Sequence, residues 1–457
     1  MFRKNALLLV ALFTIVIAPA IISCQPSATS YIKSGDANNA SKNYDQAIVD
    51  YSQAIAIDPE SAAAYAGRGR AYNNKGEYDQ ALADLNKAIE LNPDLSSAYY
   101  SRGYTYIHKQ LFNEAMADYT RAVELKPDMD NAYWNRAWIY LQNNDYEKAI
   151  ADYSSAIGVN GTNASYYGGR GWCYQQIKQY DKALADFNQA IDLDSTTPNR
   201  YLSRGLCYMG LNQNDKALID FDKAVGLDNN FADAYLFRGE CYTKMQDYDK
   251  AISDLNKSFE LNSTANMMGY YYSLATCYSA KKDYDAAISV WTQAIESDPQ
   301  SAIYYNNRGW FYLEKGDYAK ALPDINKALE MDSTSQDSAS IWDSRGWYYF
   351  KTGDTTSALS DLNKALEIAP DRDTAYESYC HRAQVYYTMK EYDKAIADLN
   401  KSIELNDEYG EAYFHRGLCY KSLNQNDQAK ADFEAAISNS TDQSIINKAT
   451  DELNSIQ

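Results

Sequence analysis

Nine aromatic side chains stand at spacings that could build a recognition surface: Tyr100, Tyr104, Trp134, Trp138, Trp172, Tyr272, Trp310, Trp347 and Phe350. Tyr100 to Trp134, Tyr104 to Trp138 and Trp138 to Trp172 are each 34 residues. Such rings give large, rigid contact area at low entropic cost, which suits binding peptides or sugars rather than making bonds. A second set is ionic. An Arg recurs in ten copies with an Asp sixteen residues later, as in Arg102 and Asp118 or Arg136 and Asp152. One copy lacks both, with Leu274 and Val290 in their places, so the two side chains are expected to pair. An arginine ladder for anionic ligands is the alternative. Asp50 faces Ser34 rather than an Arg, and is expected to meet Arg68 instead.

Other reactive side chains point away from catalysis. Cys173, Cys207, Cys241, Cys277 and Cys419 share one register, and Cys380 another. Equivalent sites on stacked helices lie ~10 Å apart, beyond disulfide reach, so free buried thiols are expected. His381 and His415 share a register beside Glu377 and Glu411, but the same spacing opposes their convergence on a metal. Glu240 and Asp343 are acids at the ring positions, and they lie in separate copies. No glycine-rich phosphate loop, nucleophile elbow or zinc motif occurs. No enzyme activity, cofactor or metal is expected.

What must position these groups is a 34-residue repeat. Tyr65, Tyr99, Tyr133, Tyr167, Tyr201 and Tyr235 stand 34 apart, as do Ala81, Ala115, Ala149, Ala183, Ala217 and Ala251. The second copy shows the unit: Tyr65 at position 4, Gly69 at 8, Tyr72 at 11, Gly76 at 15, Tyr78 at 17, Ala81 at 20, Leu85 at 24, Ala88 at 27 and Pro93 at 32. Positions 4, 8 and 11 share a helical face, as do 20, 24 and 27, so each unit reads as two amphipathic helices and a tight turn. Twelve copies are counted, keyed to position-20 alanines from Ala47 to Ala429. The spacing slips by two or three residues near Asn266, Gln336 and Asp373, placed in turns between units. The first copy departs most, with Asn38 where Tyr is usual. Ile445, Ile446, Ala449 and Leu453 mark one last helix that caps the array.

This pattern resembles the tetratricopeptide repeat family. The resemblance implies an all-α, right-handed superhelical solenoid of about twelve helix-turn-helix units over 28–441, with a capping helix at 442–457. It also implies a concave wall built from positions 2, 5, 9, 12 and 13 of the first helices, where the nine rings fall. Recognition by this groove is expected on two patches, the stronger on units three to five and the weaker on units nine and ten. Mutual packing of the rings is the other reading.

The formal charge is −19, and it would become −21 without the first 23 residues, whose only charges are Arg3 and Lys4. A body this acidic is repelled by phosphates, so nucleic acid is a poor partner. Arg3 and Lys4 precede an apolar run that ends in Ile21-Ile22-Ser23-Cys24. The run resembles a bacterial lipoprotein signal peptide over 1–23, which implies lipid on Cys24, a tether over 24–30, and display outside the cytoplasm. An uncleaved transmembrane anchor is the alternative, though Ala6 to Ile22 is short for the ~20 residues a span needs. Together these features predict a membrane-anchored scaffold for peptide or protein partners of the cell envelope, facing periplasm or exterior. A carbohydrate-binding module for cell-wall glycans is the runner-up.

Overall fold

The computed structural model describes residues 26–262 and 267–456. The signal peptide, Cys24 and Asn266 lie outside them. Among the described residues there are twenty-five α-helices and no strand. They form twelve pairs, here called the A and B helices of repeats 1 to 12, and one final helix. The chain divides into two compact units, one ending at Cys207 and one beginning at Tyr208.

In the first unit, repeat 3 comprises Ser96–His108 and Phe112–Leu125. Repeat 4 comprises Asp130–Gln142 and Tyr146–Val159, and repeat 5 Ala164–Gln176 and Tyr180–Leu193. The position-20 and position-27 alanines are fully buried, and so are the large residues between them, such as Tyr51, Leu85 and Tyr119. Small residues are needed where helices A and B touch. A Cβ on Gly69 would stand 2.7 Å from Leu85 Cγ and 3.2 Å from the Ala81 carbonyl oxygen.

Each turn between A and B passes through one residue in the left-handed region. Only three of these are glycine (Gly76, Gly316, Gly353); the other nine include Lys42, Gln110 and Gln246. Glycine or asparagine thus fills half of these positions, and Lys or Gln the rest. The geometry is held by the following N–H, which reaches back to the position-11 carbonyl: Asp145 to Tyr140 at 2.9 Å, Leu111 to Tyr106 at 2.9 Å. Such a six-to-one bond enforces the turn whatever side chain occupies it.

The arginines bind carboxylates bidentately. Arg102 reaches Asp118 through Nε and Nη2 at 2.8 Å each, and Arg136 reaches Asp152 through both at 2.7 Å. The remaining nitrogen crosses to the preceding repeat, where Arg102 Nη1 donates to Asn86 Oδ1 at 2.7 Å and Arg136 Nη1 to Thr120 Oγ1 at 3.2 Å. One guanidinium therefore joins three helices, and the ring of Tyr99 or Tyr133 covers its face. Repeat 1, Ala28–Ala40 and Tyr44–Ile57, corrects one expectation. Asp50 does not meet Arg68, which binds Asp84 at 2.7 Å. Asp50 instead accepts from Ser34 at 2.6 Å, Asn38 at 2.8 Å and Gln46 at 2.9 Å. Asn38 stands in place of Tyr because this carboxylate has no arginine to bind.

In the second unit, repeat 8 comprises Met267–Ala280 and Tyr284–Ser297. Its Leu274 and Val290 are buried around Trp291, an apolar cluster where other repeats hold an ion pair. Repeat 9 comprises Ala302–Lys315 and Tyr318–Met331, repeat 10 Ser338–Thr352 and Thr355–Ile368. Repeat 11 comprises Ala375–Thr388 and Tyr392–Leu405, repeat 12 Gly410–Ser422 and Asn426–Asn439. Gln336 and Asp373 lie in the connections before repeats 10 and 11. The last helix, Gln443–Ser455, lays Ile445 and Ala449 against Phe414 and Phe433 and so covers the end of the core. No helix of the described residues is long and apolar enough to cross a membrane.

Candidate functional site

The A helices of repeats 3 to 5 carry five of the rings singled out above. Positions 5 and 9 are one helical turn apart, so Tyr100 and Tyr104 project from one face, as do Trp134 and Trp138. Tyr104 and Trp134 remain 37% exposed and Trp172 39%, while Tyr100 and Trp138 are half-buried. The position-9 tryptophans do not pack on one another. Trp138 meets Phe112 at 5.9 Å between centroids and Trp172 meets Tyr146 edge-on at 6.0 Å, in each case the position-17 ring of the preceding repeat. One edge of each indole therefore fixes the neighbouring repeat while the remainder faces outward. Tyr100 leans on the buried Tyr119 at 5.9 Å and accepts a long bond from Asn135 at 3.4 Å. Burial pushes its phenol above the ordinary tyrosine pKa, so it serves as a neutral donor.

Sequence reasoning missed the polar groups at the N-terminal end of this wall. A cavity of about 210 Å³ is lined by Arg70, Asn73, Asn74, Tyr100, Ser101 and Tyr104. Asn73 is buried and locked, donating to the Ser101 carbonyl at 2.9 Å and accepting from Thr105 at 2.8 Å. Arg70 is tied to Asp36 at 2.7 Å but is nearly half exposed. Arg70, at position 9 of repeat 2 (A helix Ala62–Lys75), was the available signal, since it continues the register of Tyr104 and Trp138.

The wall of repeats 8 to 10 is different. Tyr272 is exposed and rests edge-on against Trp291 at 5.0 Å. Trp310 and Phe350 are half-buried. Trp347 departs from the open-wall expectation, being only 7% exposed. His381 stacks on it at 4.2 Å, Phe350 lies at 5.1 Å, and Lys351 Nζ sits 4.5 Å over its ring. A histidine in the next repeat closes the face that sequence spacing left open.

His381 is itself buried, and its Nδ1 lies 3.0 and 3.1 Å from the two oxygens of Asp343, also buried. Burial would lower its pKa, but the charges of Asp343, Glu411 and Glu377 outweigh that and raise it. Glu411 is held at about 2: His415 and Tyr409 offset its desolvation. Tyr409 donates to it at 3.0 Å.

The six cysteines among the described residues are buried and free. Desolvation pushes the thiols of Cys173, Cys207 and Cys419 up to about 12, which removes thiolate chemistry at neutral pH. No group of three potential metal ligands occurs among the described residues.

Models of the tetratricopeptide repeat match residues 35–76, 69–110, 100–163, 164–196, 272–338, 339–372, 376–409 and 410–442. A model described as anaphase-promoting complex, cyclosome, subunit 3 matches 210–294. No curated relative matches the chain. Similar solved structures include YrrB, described as a TPR protein with an unusual peptide-binding site (22% identity, 40% of this chain and 95% of that one, TM-score 0.38). The Cut9–Hcn1 hetero-tetramer of the APC/C is similar at 14% identity over 93% of this chain and 96% of that one, TM-score 0.46. A tetratricopeptide repeat protein from Parabacteroides merdae is similar at 20% identity over 55% and 96%, TM-score 0.45.

Proposed function

We propose that this chain, which belongs to the tetratricopeptide repeat family, is a non-enzymatic scaffold that holds a peptide or partner-protein segment against the A-helix wall of repeats 3 to 5. One observation carries the reading. Trp134, Trp172 and Tyr104 keep more than a third of their surface in water although the repeat core is already filled by other positions. Solvent-facing indoles in a row are costly unless something covers them. The Lys-poor, ring-rich wall suits an extended apolar or mixed segment, with Arg70 and Asn74 available at one end to fix its register. The leader sequence and Cys24 support an exported, lipid-anchored scaffold that serves envelope partners. Stacked repeats present extended surfaces suited to binding.

Affinity capture from envelope extract tests this, with the purified chain as one bait and a Trp134→Ala, Trp138→Ala, Trp172→Ala variant as the other. Circular dichroism checks that both fold. A protein held by the first bait and released by the second is the expected result. Equal capture by both would move the binding surface elsewhere. Tryptophan fluorescence that shifts with oligosaccharide, and no captured protein, would make the chain a glycan binder.

A further inference from the structure

We propose that the A-helix wall of the second unit holds a separate site for a cationic side chain, lysine or arginine, presented by an extended segment of a partner protein. The site is a cavity of about 240 Å³ lined by Tyr272, Ser340, Asp343, Arg372, Glu377 and Ser378, among others. Small-molecule sites begin at ~300 Å³, so this one fits a single side chain better than a whole ligand.

The carboxylates give the site its sign. Asp343 is buried yet borders the cavity, and its side-chain partner among the described residues is His381 Nδ1, which contacts both its oxygens. Glu377 keeps contact with solvent and has no cationic partner at bonding distance among the described residues. Desolvation by the surrounding wall raises its pKa, opposed by His381 and reinforced by Asp343, as for an acid that lacks a counterion. Glu411 adds to the same field. The one arginine at the rim is already committed, donating to the Gln336 carbonyl and to Asp337 at 2.8 Å each.

Two further features point to a ligand. Ser378 is nine-tenths buried and lines the cavity, but its hydroxyl has no partner among the described residues. An incoming ammonium or guanidinium would supply the missing donor. Tyr272 offers an exposed ring at the mouth, and a cation over such a face gains further attraction. Trp347 cannot play this part, because His381 and Lys351 already cover it. The chain's −19 charge would steer a basic segment toward the wall and repel an acidic one. The argument uses a different unit and opposite chemistry from the tryptophan wall, so either site stands without the other.

The test is a titration of the full chain by calorimetry with two acetylated, amidated decapeptides, each two copies of Gly-Ser-X-Ser-Gly with X either Arg or Glu. The Arg peptide should bind and the Glu peptide should not, and raising salt from low to high should weaken binding. Glu377→Gln, at an exposed position that leaves the core untouched, should weaken the Arg peptide about tenfold. Asp343→Asn should weaken it at least as much, and Trp134→Ala should leave it unchanged. Arg-peptide binding unaltered in Glu377→Gln and Asp343→Asn overturns the proposal. So does equal affinity for the Glu peptide, or no Arg-peptide binding at millimolar concentration. Spermidine binding as tightly as the peptide would also overturn it, because the site would then read a free amine.

Discussion

Replacing Asp152 with valine, alone and together with Arg136→Leu, separates what the ion pairs contribute from what they merely occupy. Both side chains are largely desolvated, at 15% and 7% exposure. Removing one partner of such a pair typically costs ~3–5 kcal/mol, because the other is left buried and unpaired. Here Arg136 would keep its bond to Thr120 and its place over the ring of Tyr133. Each is worth ~1 kcal/mol, so Asp152→Val should cost about 1–3 kcal/mol. The double variant reproduces what repeat 8 already does, with Leu274 and Val290 buried in these two slots. Its cost should fall to about 1 kcal/mol, since apolar replacement of a whole buried pair is often close to neutral. Native-state hydrogen exchange of the helix amides in repeat 4 reads the local opening energy directly, avoiding a two-state fit that a repeat array does not obey. A double variant as unstable as the summed singles would refute the reasoning. So would a single Asp152→Val that costs less than about 1 kcal/mol.

Other outcomes are expected as well. Gly69→Ala should destabilise by about 1–2 kcal/mol, the overpacking against Leu85 and the Ala81 carbonyl exceeding the better helix propensity of alanine. Gly168→Ala, with nothing within 4 Å of the new Cβ, should stabilise by roughly 0.5–1 kcal/mol; urea unfolding of both variants checks the contrast. Gln246→Gly relieves a side chain held at φ 61° and should gain up to ~1 kcal/mol in the same assay. His381 should titrate above 6.5 by NMR and fall in Asp343→Asn. Because its folded pKa is the raised one, its pairing stabilises fully below the unfolded value and fades as pH rises through the folded one. Asp343→Asn should therefore cost more stability at pH 6 than at pH 9. Glu377 and Glu411 also face His381, and they set how much of the shift survives.

Much of the fold was legible because the repeat averages over its own exceptions. Ala at positions 20 and 27 and a large residue at 24 recur until accident is excluded, and these are the buried positions. What stayed hidden depends on a neighbouring repeat. Arg102 reaching Asn86 is invisible inside one unit, since the acceptor belongs to the unit before. Asp50 looked short of a cation because Ser34, Asn38 and Gln46 are individually weak donors that suffice only when they converge. The turns concealed their left-handed residues behind Lys and Gln, because a backbone hydrogen bond rather than glycine enforces them. At the site, position 5 or 9 placed a ring on the A-helix wall but could not say what lies over it. At position 9, Trp172 is open and Trp347 is closed, and His381 of the following repeat stacks on the latter.

The central claim is that the tryptophan wall of repeats 3 to 5 is where a partner sits. The most direct measurement places a photo-reactive amino acid at position 134 in living cells, with a second chain carrying it at Val49, an exposed B-helix position in the same unit. Crosslinking from position 134 to a defined peptide of one protein, absent from position 49, is the predicted result. A partner crosslinked equally from both positions, or from position 49 alone, would contradict the account.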